Sequence, residues 1–187
     1  MKKTLTFSTL MVLFCCSTSL AGSSASHSAI KRQYNQSTRT QDSATKPDYT
    51  ELPRKITPLK ERAFIFSPRL QRWVAYDENG FKVAGGAANG GADFCEEINE
   101  PCRTPVGQFR INRKKGPKCA SSQFPVGEGG SPMPYCMFFK RGNAIHGSPT
   151  LSDQNTSHGC IRVLTPAAEW LSKNFLNIGT RVIVLPY

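Results

Sequence analysis

The chain has 187 residues, 39% of them apolar, with 24 Lys and Arg against 13 Asp and Glu and a formal net charge of +11. That length and apolar share suit one folded unit around one core. The basic balance favours an anionic partner, but nucleic acid is excluded as a reading if the chain is exported, which its first residues predict.

Residues 1–21 read as a secretory signal peptide. Lys2-Lys3 is followed by the apolar run LTFSTLMVLFCC over 5–16, then by Ser19 and Ala21 in a small-x-small pattern, with cleavage expected after Ala21. The run is shorter than the roughly 20 apolar residues that cross a bilayer, and no later stretch predicts a transmembrane segment. Cys15 and Cys16 do not read as lipidation sites, because Phe14 stands where a small residue is expected. Residues 22–55 are rich in Ser, Thr, Gln and Asn and show no apolar periodicity. Such a segment buries too little apolar area to offset its ordering entropy, so it is expected to be a flexible leader. The folded domain is then residues 56–187.

The first elements predicted in that domain are strands. AFIFS (63–67) and RWVAYD (72–77) are short, aromatic and β-branched. ENG (78–80) is a turn, and FKVAGG (81–86) returns with alternating character. Gly85-Gly86 and Gly90-Gly91 are expected to end that strand. QFRIN (108–112) is a further strand. The basic cluster NRKKGPK (112–118) reads either as a solvated hairpin or loop, or as a surface approaching an anionic cell wall. YCMFFK (135–140) and AIH (144–146) flank Arg141-Gly142-Asn143 and predict a hairpin. One helix is signalled: Thr165 as cap, Pro166 in the first turn, then AAEWLSKNFL, with Trp170 as packing rather than a substrate platform. Gly179 ends it, and RVIVLP (181–186) is a last strand. These elements predict a mainly β, sandwich-like domain of mixed sheets with one or two short helices.

Of seven cysteines, Cys15 and Cys16 fall in the signal, leaving Cys95, Cys102, Cys119, Cys136 and Cys160. An odd number in an exported chain implies pairs and one leftover thiol. Cys95–Cys102 and Cys119–Cys136 are favoured because each closes a short loop. Cys160 lies in SHGCIRV (157–163), beside Ser157, His158 and Gly159. A disulfide is the usual fate of an exported cysteine, but the other four can pair among themselves. A structural zinc site needs a quartet of ligands that the spacing does not supply. A nucleophile is left, and a thiol needs a base within reach. His27 falls in the leader. His158 is read either as a buried structural histidine or as part of the site. His146 ends a strand-like stretch and precedes Gly147, as a base facing a loop-borne nucleophile would. Gly159 permits a sharp turn that aims the amides of Gly159 and Cys160 at a developing oxyanion.

Three stretches carry a family resemblance: AIHGSPT followed by SHGCIRV, RTPVGQFRI (103–111), and MPYCMFF (133–139). Together they resemble the L,D-transpeptidase catalytic domain of bacterial cell-wall enzymes over residues 63–187. The resemblance implies Cys160 as nucleophile and His146 as general base, its ring oriented by the Gly147 carbonyl. It implies His158, Gly159 and Cys160 around the oxyanion, Gly147 and Ser157 shaping the site, and Arg162 on a substrate carboxylate. It implies acyl transfer from a peptidoglycan tetrapeptide stem at the diaminopimelate–D-Ala bond, with no metal or other cofactor, in the periplasm or cell wall, by a monomer. The acceptor is a neighbouring stem, giving a 3→3 cross-link, or an outer-membrane protein; water would make the enzyme an L,D-carboxypeptidase. Two departures stand out: the segment from His146 to Ser157 is short, which implies a reduced lid, and the four further cysteines are foreign to the signature. The competing readings are another secreted cell-wall cysteine peptidase and, without catalysis, a wall-binding protein. Histidine ahead of cysteine in the chain disfavours a papain-like order.

Overall fold

The computed structural model describes residues 52–187. The signal peptide and most of the leader expected from the sequence lie outside these residues. Nine strands follow one another: β1 Ala63–Ser67, β2 Arg72–Tyr76, β3 Lys82–Asn89, β4 Gly107–Arg110, β5 Arg113–Lys114, β6 Met137–Lys140, β7 Asn143–Ser148, β8 Ile161–Leu164 and β9 Arg181–Val184. A helix, α1 (Thr165–Trp170), lies between β8 and β9 and passes into a π-helical turn at Leu171–Phe175. The protein is mainly β, as its residue pattern predicts.

The strands form one mixed sheet in the order β4-β9-β1-β2-β3-β8-β7-β6-β5. Only β1–β9 and β7–β8 pair in parallel. The two edge strands, β4 and β5, are joined by only Ile111-Asn112. Ile111 donates its N–H to Thr180 O, on the side of β9, and Asn112 donates to Phe138 O in β6. The sheet therefore folds back on itself, and its two halves face each other across a shared core. Phe64, Phe66, Trp73 and Val182 enter that core from one half; Met137, Phe139, Ile145, Ile161 and Val163 enter from the other.

AFIFS is buried at all five positions because β1 is covered on both faces, which is why its sequence is continuously apolar rather than alternating. Phe64 and Phe66 point into the main core, while Ile65 joins Leu52, Val74 and Tyr76 in a second cluster. Leu52 and the residues after it, ahead of the expected boundary at 56, already pack here. Tyr76 Oη donates to Pro53 O, and Lys55 bridges to Phe81.

Three local expectations change. β3 does not stop at Gly85-Gly86 but runs on to Asn89, since Gly85 pairs with Val74 and Gly86 with Trp73. A side chain at Gly85 would crowd the Trp73 carbonyl at 2.9 Å, so the glycine permits the close pairing rather than ending it. β3 thereby reaches β8 through Ala88 and Asn89 and links the two halves of the sheet. Thr165 is the first residue of α1 and its hydroxyl makes no capping bond; Leu164 holds the N-cap position. Within NRKKGPK, residues 113–114 form β5 instead of a loop, because its backbone pairs with β6 at the edge. Trp170 is buried against Phe175, as packing requires.

Candidate active site

β7 and β8 are parallel neighbours in register, with Ile145 opposite Ile161 and His146 opposite Arg162. Side chains alternate along a strand. Ile145 and Ile161 enter the main core, so His146 and Arg162 share the opposite face. Cys160, one residue before β8, joins them there: it packs on the cluster that contains Ala144 and Phe138. The parallel pairing thus carries the HG pair and the SHGC block, well separated in the chain, to one place.

The turn leading into Cys160 is held by Ser157, which is buried. Its hydroxyl donates to Cys160 O at 2.5 Å and accepts from the Gly159 N–H at 3.1 Å. Gly159 has φ +100°, and a Cβ there would lie 2.4 Å from Asn143 Nδ2. Only glycine takes that backbone without strain. The Gly159 N–H, expected to face an oxyanion, is instead committed to Ser157; its job in the structure is to hold the turn.

His146 is buried, and its Nδ1 lies 2.9 Å from Gly147 O. A carbonyl only accepts, so Nδ1 carries the proton and Nε2 keeps its lone pair. Burial is the main cause that lowers the His146 pKa to about 4; the Arg162 charge acts the same way, and the bond to Gly147 opposes them. The ring is therefore neutral near pH 7. Burial pushes the Cys160 thiol up, against opposing contributions from the Ala144 backbone and Arg162. The pair rests as thiol and neutral imidazole, so the proton moves when the sulfur attacks. Arg162 is itself partly desolvated and donates to Thr156 Oγ1 at 3.3 Å.

Gly147 sits where β7 meets the start of α1. A Cβ would lie 3.0 Å from Thr165 Cα, and its N–H donates to Pro134 O at 2.8 Å. The carbonyl that holds His146 is thereby fixed from both sides.

These residues floor a cleft of about 1130 Å³ lined by His146, Gly147, Ser157, His158, Cys160 and Arg162, and walled by residues 120–126 and 131–133. The short segment after His146 supplies little of the wall. The cover comes from the loop before β6, where the sulfurs of Cys119 and Cys136 lie at bonding distance. The sulfurs of Cys95 and Cys102 do likewise, and Cys160 is the free cysteine among the described residues. His158 is neither deeply buried nor on the floor. Its ring stacks on Phe124 with centroids 3.8 Å apart, and its Nε2 pairs with the Glu97 carboxylate, which that bond holds below the usual range. One disulfide-closed loop supplies Glu97 and the other Phe124, so His158 ties the two together at the rim. Cys95 also lies near this pair, but its sulfur is bonded to Cys102 and offers no thiolate to a metal.

The sequence does not signal Glu97, Phe124 or Arg141 as site residues, and it signals Arg113 and Lys115 only as part of a basic cluster, not as residues of the cleft. The available signal was the cysteine spacing, which marks the two loops that approach the site.

The L,D-transpeptidase catalytic-domain family (YkuD) matches residues 61–184. Similar solved structures include an L,D-transpeptidase from Xylanimonas cellulosilytica, 25% identical, with TM-score 0.60 over 80% of this chain and 69% of that one. L,D-transpeptidase 3 of Mycobacterium tuberculosis, solved in complex with a faropenem-derived adduct, is 23% identical, with TM-score 0.54 over 67% of this chain and 60% of that one. An L,D-transpeptidase from Stackebrandtia nassauensis is 19% identical, with TM-score 0.57 over 73% and 61%. The chain thus spans less than two thirds of the length of the latter two; their likeness is one of fold. No curated protein sequence matches the chain significantly.

Proposed function

This chain belongs to the L,D-transpeptidase catalytic-domain family, and on that premise we propose that it is an exported, cysteine-dependent acyltransferase of peptidoglycan. The observation that carries the reading is the unpaired Cys160 beside a neutral His146 on one face of two parallel strands, at the floor of one cleft. Cys160 Sγ attacks the carbonyl of the diaminopimelate–D-Ala bond in a tetrapeptide stem as His146 Nε2 takes the thiol proton. The tetrahedral intermediate collapses, His146 returns the proton to the leaving amine, and D-Ala departs, leaving a thioester on Cys160. An acceptor amine then attacks the thioester and loses a proton to His146, and the thiol is restored. No cofactor enters these steps.

Gly147 orients the base. Ser157 and Gly159 hold the nucleophile's turn, His158 shapes the rim, and Arg162 meets a substrate carboxylate. A stem-peptide acceptor gives a 3→3 cross-link, and a protein amine attaches that protein to the wall. On this reading residues 1–21 direct export and the leader ahead of Leu52 tethers the domain.

The test is to incubate the protein with muropeptides bearing tetrapeptide stems and to analyse products by mass spectrometry. Release of D-Ala with dimers is the expected result; release without dimers assigns water as acceptor. Cys160→Ala should abolish release, and full activity in that variant would sink the proposal. The faropenem-derived adduct of the M. tuberculosis relative offers a second probe: faropenem should add mass to this protein but not to Cys160→Ala.

A further inference from the structure

The cleft is cationic beyond Arg162. Arg113, Lys115 and Arg141 line it, and none has a carboxylate partner among the described residues. The one acidic lining residue, Glu97, is engaged with His158. These three side chains are exposed along one cleft, and like charges gathered there without counter-charges repel one another, an arrangement that an anionic ligand would relieve.

The pairing registers place this cluster relative to the nucleophile. Arg113 is opposite Phe138, Phe138 is opposite Ala144, and the β7–β8 register sets Ala144 opposite Cys160. These four residues form a row across β5, β6, β7 and the start of β8, on the face away from the main core. The Arg113 guanidinium lies over the Phe138 ring, 4.1 Å from its centroid. The Arg113 backbone is three strand spacings from Cys160, about 14 Å at about 4.8 Å per spacing, but its guanidinium reaches over the Phe138 ring on β6, two spacings or roughly 10 Å from Cys160. Ala144, between them, is too small to block the path. Lys114, the next residue along β5, turns to the other side and donates to Ser172 O. The basic cluster in the sequence is therefore split by strand alternation, with Arg113 and Lys115 facing the cleft.

We propose that Arg113, with Arg141 and Lys115 beside it, is a carboxylate-binding subsite for the acyl donor, reading the side-chain carboxylate of the residue whose carbonyl Cys160 attacks. This rests on the acyl-transfer reading above. In a diaminopimelate donor that carboxylate is six bonds from the scissile carbonyl, roughly 7–8 Å when extended. Adding one carboxylate–guanidinium hydrogen bond of about 2.8 Å brings it to the Arg113 position. A shorter acidic side chain would not reach.

The experiment compares two synthetic tetrapeptide donors, one with the free side-chain carboxylate of diaminopimelate and one with that group amidated. D-Ala release gives kcat and KM for each. The native protein should favour the free acid by about tenfold in kcat/KM, the scale of one charge-assisted hydrogen bond. Arg113→Gln should shrink that ratio through KM, and Arg113→Lys should restore part of it. An equal rate on both donors in the native protein, or an unchanged ratio in Arg113→Gln, would overturn the assignment. Binding of both peptides to Cys160→Ala, measured calorimetrically, separates the two proposals because it needs no turnover. Tighter binding of the acid keeps the subsite even if neither donor is turned over; equal binding removes it even if both are.

Discussion

Burial lowers the pKa of His146 from 6.5 to about 4, so its folded form resists protonation. Between those values the unfolded chain holds a proton on this ring and the folded chain does not. Stability therefore rises with pH across that window and is lost as pH falls through it. The shift corresponds to roughly 3 kcal/mol. Denaturant titrations at pH 7 and pH 4 should show native stability falling more than that of His146→Asn by about this amount; parallel losses would show that the ring is not desolvated. D-Ala release should hold from neutral pH down to about pH 5 and fall as pH approaches 4, because the base must be neutral to accept the thiol proton. His146, Cys160 and Gly159 were legible in the sequence because their chemistry is local: a ring beside a carbonyl, a thiol after a glycine. Glu97 and Phe124 were not, and Arg113 was legible only as one of a basic cluster. Each reaches the cleft through pairing between residues far apart in the chain, and no spacing rule along one strand encodes that.

The loop closed by Cys119 and Cys136 is the element that turns an exposed strand face into a cleft. Its backbone is bonded mostly to itself, as from the Ser121 N–H to Ser131 O and from the Met133 N–H to Cys119 O, and it is held to the domain by the disulfide, by Met133 packed beside it, by Phe124 on His158 and by the Gly147 N–H on Pro134 O. With a sequence separation of 17, the bond stabilises by about 3 kcal/mol in the chain-entropy account. Cys119→Ser/Cys136→Ser should lose about that much in denaturant unfolding. It should also raise KM for the donor peptide more than it lowers kcat, because Phe124 is loosened while Cys160 and His146 stay on their strands. Cys95→Ser/Cys102→Ser, with a separation of 7, should lose less, about 2 kcal/mol. Equal KM in the native protein and the first variant would show that this loop does not bound the substrate. The pairings themselves were readable from cysteine spacing, as was the β6–β7 hairpin from its glycine turn. The run of β3 through two glycines was not, since low strand propensity there yields to close packing against β2. The π-helical turn after α1 was not readable either, because the bond from the Leu176 N–H to Leu171 O at 2.7 Å is a choice made by the core beneath it.

Sheet closure decides whether all these parts stay in register, and the residues after β9 contribute to it at a distance. Tyr187 Oη accepts from the Thr104 N–H at 2.7 Å and donates to Gly91 O at 3.0 Å. Gly91 and Thr104 flank the loop that carries Glu97 to His158. The approach there is so close that a Cβ on Gly91 would fall 1.7 Å from Cys102 O. One hydroxyl thus joins the chain beyond β9 to both stems of that loop, a three-way contact that no periodicity in the sequence announces. Tyr187→Phe keeps the ring under the Arg103 guanidinium, now 4.8 Å from its centroid, and removes only the oxygen. The Thr104 amide, in a residue that is 1% exposed, is then left without its acceptor, which costs about 1–3 kcal/mol. Denaturant unfolding should register that loss, and hydrogen exchange at the Thr104 amide should quicken while exchange in β6 and β7 stays as slow as before. If β6 and β7 quicken equally, the hydroxyl supports the fold as a whole and not this loop alone.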